Sequence, residues 1–435
     1  MDPRETILER PMGRFQIAAV GVCIALNALD GFDVLSISFA SPGIAAEWGI
    51  DRAQLGIVLS MELIGMAVGS ILLGNVADRI GRRPMILACL VLMATGMMLA
   101  ATAQNVVILS VYRLVTGLGI GGMLAAINAM TAEFSNRRRR ALAVAIMASG
   151  YPIGAVIGGS IASMLLASFD WRSVFLFGAI VTASFIPLVW FLLPESIEFL
   201  ILKRPPNALA TVNRTMARMG HPPVDRLPDP EPRSTKASIA RLFAPGLARL
   251  TILVSLAYFL HIMTFYFVLK WIPKIVVDMG FAPSAAGGVL VWANVGGATG
   301  ALLFGLLTQK VRLQPLIIAF MLMSAVMVTV FGHVGPDLGQ LALVTAVAGF
   351  FTNAVIVGLY ALFAQSFPTE LRAGGTGFAV GTGRGGSVLG PIVAGFLFTA
   401  NYGLPTVAMI MAAGSLLAAG AILALRTPRQ EPARP

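Results

Sequence analysis

Twelve apolar stretches, each long enough to cross a bilayer, limit what this chain can fold into. They lie near 15–41, 53–77, 84–103, 106–133, 140–167, 172–193, 248–271, 284–308, 314–333, 338–366, 372–399 and 404–425. A helical span needs about 20 apolar residues. In lipid an open sheet edge leaves backbone N–H and C=O groups without partners, so all twelve are expected as helices. Of 435 residues, 57% are hydrophobic and only 12% charged, about half the charged share of a soluble domain. The net charge of +11 is therefore no nucleic-acid signal, because it sits in short loops between apolar stretches.

Those loops orient the chain. Of the 31 Lys and Arg, 25 fall in alternate loops on one side, including Arg79, Arg82, Arg83, Arg137 to Arg140, Arg233, Lys236, Arg426, Arg429 and Arg434. Arg52, Arg172, Lys270 and Lys274 mark the other side, and Arg113 and Arg384 remain within spans. The positive-inside rule then places both termini in the cytoplasm of a bacterial inner membrane. No signal-peptide pattern opens the chain, so the first span is expected to direct insertion. Cys23 and Cys89 lie in apolar segments and read as small core fillers.

The polar stretch 194–247, rich in Pro and basic residues, divides the chain into a six-helix bundle over 1–193, a cytoplasmic connector with one short surface helix, and a second bundle over 248–435. A shift of 231 residues superposes Pro42 on Pro273, Gly56 on Gly287, Gly65 on Gly296, Gly69 on Gly300, Gly74 on Gly305 and Pro84 on Pro315. The expected fold is all-α, with two pseudo-symmetric six-helix bundles. In such parallel repeats, binding sites lie between the repeats near the midplane.

The turn after the second span reads Gly74-Asn-Val-Ala-Asp78-Arg79-Ile-Gly81-Arg82-Arg83-Pro84. It resembles the signature loop of the major facilitator superfamily. Asp78 can accept hydrogen bonds at a neighbouring helix start and pair with Arg, making a latch that breaks when the halves rock. The second copy has Gln309 where the repeat predicts Asp, so a symmetric second latch is not expected. Span one carries Asp30-Gly31-Phe32-Asp33. Two carboxyls three residues apart share a helix face. Intramembrane acids are costly and functional by default, and two so close should not both ionise, which makes a proton site.

The Asp-Gly-Phe-Asp sequence, together with Tyr112-Arg113, Gly117, Pro194-Glu195-Ser196, Phe367-Pro368-Thr-Glu370-Leu-Arg372 and Gly383-Arg384-Gly385, is similar to the aromatic acid:proton symporter family of that superfamily. The resemblance implies alternating access between two bundles, a proton-coupled uptake of a small aromatic carboxylate or related organic anion, and roles for Asp30, Asp33 and Arg113 in coupling and binding.

Helical rise puts Asp30, Glu62, Arg113, His261 and Arg384 at about 16–22 Å from one membrane side, a single layer. Arg113 and Arg384 suit a carboxylate; Arg384, on a glycine-rich span, suits structural pairing equally. Glu62 reads as a second proton carrier or a pairing partner. The repeat equates His261 with Asp30 and Tyr258 with Asn27, so His261 is expected across the cavity from the Asp pair. Tyr258, His261 and Phe265 would share one face, and Asn353 and Tyr360 would add hydrogen bonding and stacking, or simply pack. Glu133 with Arg137 to Arg140, and Glu370 with Arg372, read as gate ion pairs or solvated charges. Span five, with Gly150, Pro152, Gly154 and Gly158, partly resembles the glycine–proline motif of antiporters and keeps proton-coupled export of drugs or other organic compounds as the alternative. The sequence carries no nucleotide loop, metal cluster or nucleophile constellation, so neither an enzyme nor a cofactor is expected. The expected partners are a small organic anion, protons and the lipid bilayer, with the chain acting as a monomer.

Overall fold

The computed structural model describes residues 2–229, 239–368 and 370–425. Among them the long helices are α1 (Arg14–Trp48), α2 (Arg52–Ile80), α3 (Arg82–Ala101), α4 (Val106–Glu133), α5 (Arg140–Leu165), α6 (Arg172–Leu192), α7 (Ala248–Asp278), α8 (Pro283–Leu307), α9 (Leu313–Phe331), α10 (Leu338–Ser366), α11 (Arg372–Thr399) and α12 (Leu404–Leu423). Eleven are long and apolar enough to cross a membrane. The other, α11, carries nine glycines, whose near-neutral hydropathy dilutes its apolar signal; it packs on α7 and α2. Arg233, Lys236, Arg426, Arg429, Arg434 and Thr369 lie outside the described residues.

The two bundles repeat the same contacts. In the first, α2 packs on α4, α1 on α5 and α3 on α6; in the second, α8 packs on α10, α7 on α11 and α9 on α12. The repeated glycines explain this. A Cβ at Gly65 or Gly69 would strike the Leu114 or Leu118 carbonyl of α4, and one at Gly296 or Gly300 the Ala346 or Phe350 carbonyl of α10. Helices approach this closely in lipid only through small residues.

The bundles meet away from the face that carries the termini. There Gly56 of α2 sits on Pro391 and Gly395 of α11, while Gly287 of α8 sits on Ser163 of α5 and Phe39 of α1. Arg52 pairs with Asp278 at 3.0 Å, the Ala53 N–H donates to the Thr399 hydroxyl at 2.9 Å, and the Ser60 hydroxyl donates to the Val388 carbonyl at 2.8 Å. Toward the terminal face, Gly74, Gly305, Gly377 and Gly381 have none of the described residues within 4 Å of where a Cβ would stand, and Tyr360 is 43% exposed. The bundles are joined at the far face and parted at the terminal one.

Helices α1 and α7 run through Pro42 and Pro273 to Trp48 and Asp278, past the ends expected at 41 and 271. Neighbouring helices let a membrane helix tolerate proline's missing N–H. Lys270, assigned from sequence to the far-side charges, consequently lies inside α7 and is fully buried. The connector forms two short helices, Ile197–Lys203 and Ala208–Arg218, and a 3-10 turn over Ile239–Phe243, rather than one helix. A further helix, Pro3–Glu9, is capped by the Asp2 carboxylate on the Arg4 N–H at 2.8 Å. Its Asp-Pro start is a helix signal that the apolar pattern obscured. Cys23 and Cys89 are free and buried.

Candidate functional site

Five charged side chains meet in the interior. Asp30 and Asp33 come from α1, Glu62 from α2, Arg113 from α4 and Lys270 from α7, and each is buried. Arg113 forms an ion pair with Glu62, donates to the Asp33 backbone carbonyl and the Met97 sulfur at 2.9 Å each, and lies 5.3 Å from the Phe175 ring. Lys270 donates to the Val34 carbonyl and stands 3.8 Å from Glu62. The Thr182 hydroxyl lies 3.4 Å from Asp33 Oδ2. Both Asp30 carboxyl oxygens are buried without a hydrogen-bond partner among the described residues, with Asp33 and Glu62 as charged neighbours.

The sequence-derived layer is thus present but differently populated. Glu62 is a pairing partner. Arg113, expected to be free for a substrate carboxylate, is held inside the first bundle by Glu62 and the Asp33 carbonyl. Asn27 is occupied too, donating to the Met147 carbonyl of α5 at 2.6 Å. Lys270 was missed, although Tyr266, Lys270 and Lys274 recur at four-residue spacing along one helix face.

The second bundle presents an aromatic wall around Arg384. The Tyr258 and Tyr360 hydroxyls are 2.9 Å apart, and Tyr258 meets Phe363 edge-on at 5.6 Å. Arg384 is half-buried, lies within electrostatic reach of Tyr258 and Tyr266, and has no acidic partner among the described residues. Tyr151 of α5 stands beside Tyr266 across the bundles. Phe265 packs edge-on against Tyr266 at 5.3 Å. Asn353 lies against Gly297 of α8, a helix-packing position.

His261 corrects a sequence inference. It is buried in the seam of α7, α10 and α12, with Nδ1 2.9 Å from the Ser415 hydroxyl and Nε2 2.9 Å from the Thr352 carbonyl. The register with Asp30 stands, but a pseudo-twofold carries the interior of one bundle onto the interior of the other. Equivalent inward-facing residues therefore point away from each other. Replacing His261 by Ala should lower stability by about 2–4 kcal/mol, from a cavity plus two lost hydrogen bonds. Thermal unfolding of the purified protein, alongside the substrate affinity of the folded fraction, checks this. An altered affinity without lost stability would contradict the packing role.

At the terminal face, Gly81 makes the α2–α3 turn with φ of 108°, a conformation that favours glycine. Asp78 is exposed and reaches Arg82 only at 3.9 Å; Arg79 is exposed as well. The helix-start acceptor expected of Asp78 is Glu195 instead. Its carboxylate accepts the Arg82 and Arg83 N–H groups at 2.9 and 3.3 Å, where the helix dipole favours negative charge. Burial pushes the Glu195 carboxyl up, against the lowering effect of the Ser196, Arg83 and Arg82 N–H donors. Glu133 pairs with Arg82 at 2.8 Å and accepts from the Ser196 hydroxyl at 2.5 Å. Arg83 donates to the Trp190 carbonyl at 2.6 Å. Glu370 pairs with Arg241 at 3.5 Å. Among the described residues no group of three His, Cys, Asp or Glu is arranged to hold a metal.

The family model described as Major Facilitator Superfamily matches residues 23–250 and 254–435. The chain belongs to the major facilitator superfamily. It is 29% identical to a gallate transporter of Pseudomonas putida, over 98% of this chain and 95% of that one. It is 30% identical to the 4-hydroxybenzoate transporter PcaK of Acinetobacter baylyi, over 98% and 93% of the two chains. It is 31% identical to the 3-(3-hydroxy-phenyl)propionate transporter of Escherichia coli, over 94% of each. The fold matches that of the xylose transporter XylE of E. coli in an inward open conformation, with a TM-score of 0.75, 18% identity and coverage of 94% and 96%. This superfamily member is a transporter, not an enzyme, related to aromatic acid:proton symporters.

Proposed function

We propose that the chain imports a small aromatic carboxylate together with protons across the bacterial plasma membrane, with both termini in the cytoplasm. The observation that carries this reading is a charge imbalance: among the described residues three buried carboxyls, Asp30, Asp33 and Glu62, face only two buried cations, Arg113 and Lys270. A buried ion without a counter-charge is so costly that the site must be neutralised, and one proton does so. Asp30, whose oxygens have no hydrogen-bond partner among the described residues, is the group that takes it.

The substrate carboxylate engages Arg384, whose planar guanidinium offers two parallel donors. The aromatic ring lies against Tyr258, Tyr266 and Tyr360. With the basic face in the cytoplasm, the described conformation is open inward. The segments 1–193 and 248–435 rock about the buried layer, joined by the connector 194–247. Opening outward separates Gly56 from Gly395 and Gly287 from Ser163, and closes the vacant faces at Gly74, Gly305, Gly377 and Gly381.

Purified protein in liposomes, given an inside-alkaline pH gradient and a panel of labelled carboxylates, tests the reading. Accumulation of an aromatic carboxylate, collapsed by a protonophore, is expected. Accumulation of aliphatic acids alone would refute the substrate class, and proton-driven extrusion of neutral drugs would favour export.

A further inference from the structure

Among the described residues, Lys270 is the one charge of the second bundle that reaches the buried ions of the first. Its Nζ donates to the Val34 carbonyl of α1 and faces Glu62 of α2 at 3.8 Å, with Arg113 of α4 behind. Both acceptors belong to the opposite half. Arg113 already provides Glu62 with a cation from within its own bundle. What Lys270 adds is therefore a link between bundles. The other far-face links differ in kind: Arg52–Asp278 is exposed, whereas Ala53–Thr399 and Ser60–Val388 are neutral.

We propose that Lys270 is a positioning residue, the buried ionic tie that holds the far face shut. The proposal rests on the alternating-access reading and adds to it the residue that links Glu62 to the conformational equilibrium. Parting the bundles at this face withdraws an ammonium ion from both of its acceptors, and breaking a buried pair leaves an uncompensated charge. The tie depends on the anionic form of Glu62. Without that negative charge the tie loses its ionic half and keeps only the Val34 carbonyl, so the charge on Glu62 governs how firmly the far face is closed.

A single reporter cysteine at Ser163, which packs under Gly287 in the far-face seam, reads the equilibrium in full-length protein without substrate or gradient. Labelling by a membrane-impermeant maleimide from the far side is slow when that face is shut, and the buried Cys23 and Cys89 set the background. Lys270→Met should speed labelling about tenfold, within the usual range of a coupling between two states. Lys270→Arg, which keeps the charge, should stay near the wild-type rate. Glu62→Gln should also speed labelling, and the double variant Lys270→Met/Glu62→Gln should add little to either single change, because the Arg113 pair lost with Glu62 lies within one bundle and both changes remove the same Lys270–Glu62 contact between bundles. Unchanged labelling in folded Lys270→Met overturns the proposal, as does simple additivity in the double variant. Should Lys270→Met fail to fold, the Glu62→Gln arm decides in the same way, with unchanged labelling overturning it. Because no substrate or gradient is present, this result stands apart from symport itself: failure of proton-driven uptake leaves the labelling comparison intact.

Discussion

Proton-driven accumulation should disappear when Asp30 is replaced by Asn, while exchange of substrate across the membrane survives. The side chains are nearly isosteric, and among the described residues Asp30 makes no hydrogen bond that Asn would lose. The change removes the ability to gain and lose a proton, nothing else. The variant is fixed near the neutral state, so the carrier cycles with the same charge in both directions and the gradient has nothing to drive. Asp33→Asn should act similarly. It touches one contact, the Thr182 hydroxyl at 3.4 Å, and leaves the Arg113 bond, which goes to the backbone carbonyl. Uptake into liposomes under an imposed pH gradient, compared with counterflow in its absence, separates the two activities. Full gradient-driven accumulation in both variants would contradict the assignment.

The second large effect concerns affinity. Arg384→Gln should raise the substrate concentration at half-maximal transport about 10- to 100-fold, the loss expected when a charged hydrogen-bonding partner goes. Arg384→Lys should recover only part of it, because an ammonium ion cannot offer the paired donors of a guanidinium. The protein should fold, since Arg384 has no acidic partner among the described residues and is only half-buried. Concentration-dependent uptake and a melting curve answer together. Unchanged affinity with a lowered melting temperature would make Arg384 a structural residue and move the carboxylate elsewhere.

The fold was legible because lipid leaves few choices. Runs of apolar residues became helices, and two of the glycine pairs recurring at a 231-residue shift, Gly65 with Gly296 and Gly69 with Gly300, proved to be points where backbones touch in both bundles. The charged layer was legible in part. Helical rise gives depth, so Asp30, Glu62 and Arg113 were found at one level. Depth says nothing of direction, and direction separated His261 from the cavity. Lys270 was hidden by Pro273, three residues on, which reads as the end of a span. The helix continues through it. Glu195 was hidden by distance in sequence: its acceptor role at Arg82 joins residues 113 positions apart, and the nearer Asp78 was the natural candidate. Such pairings depend on which loop returns to which helix start, which a single sequence does not encode locally.

Proton movement accompanying the anion tests the account most directly. Liposomes containing the protein and a lumenal pH dye are given an inward gradient of an aromatic carboxylate with no pH difference imposed. Symport predicts that the lumen acidifies as the anion enters, and that Asp30→Asn abolishes the signal while anion exchange persists. A lumen that turns alkaline as the anion enters, or anion entry with no change in pH, would contradict it.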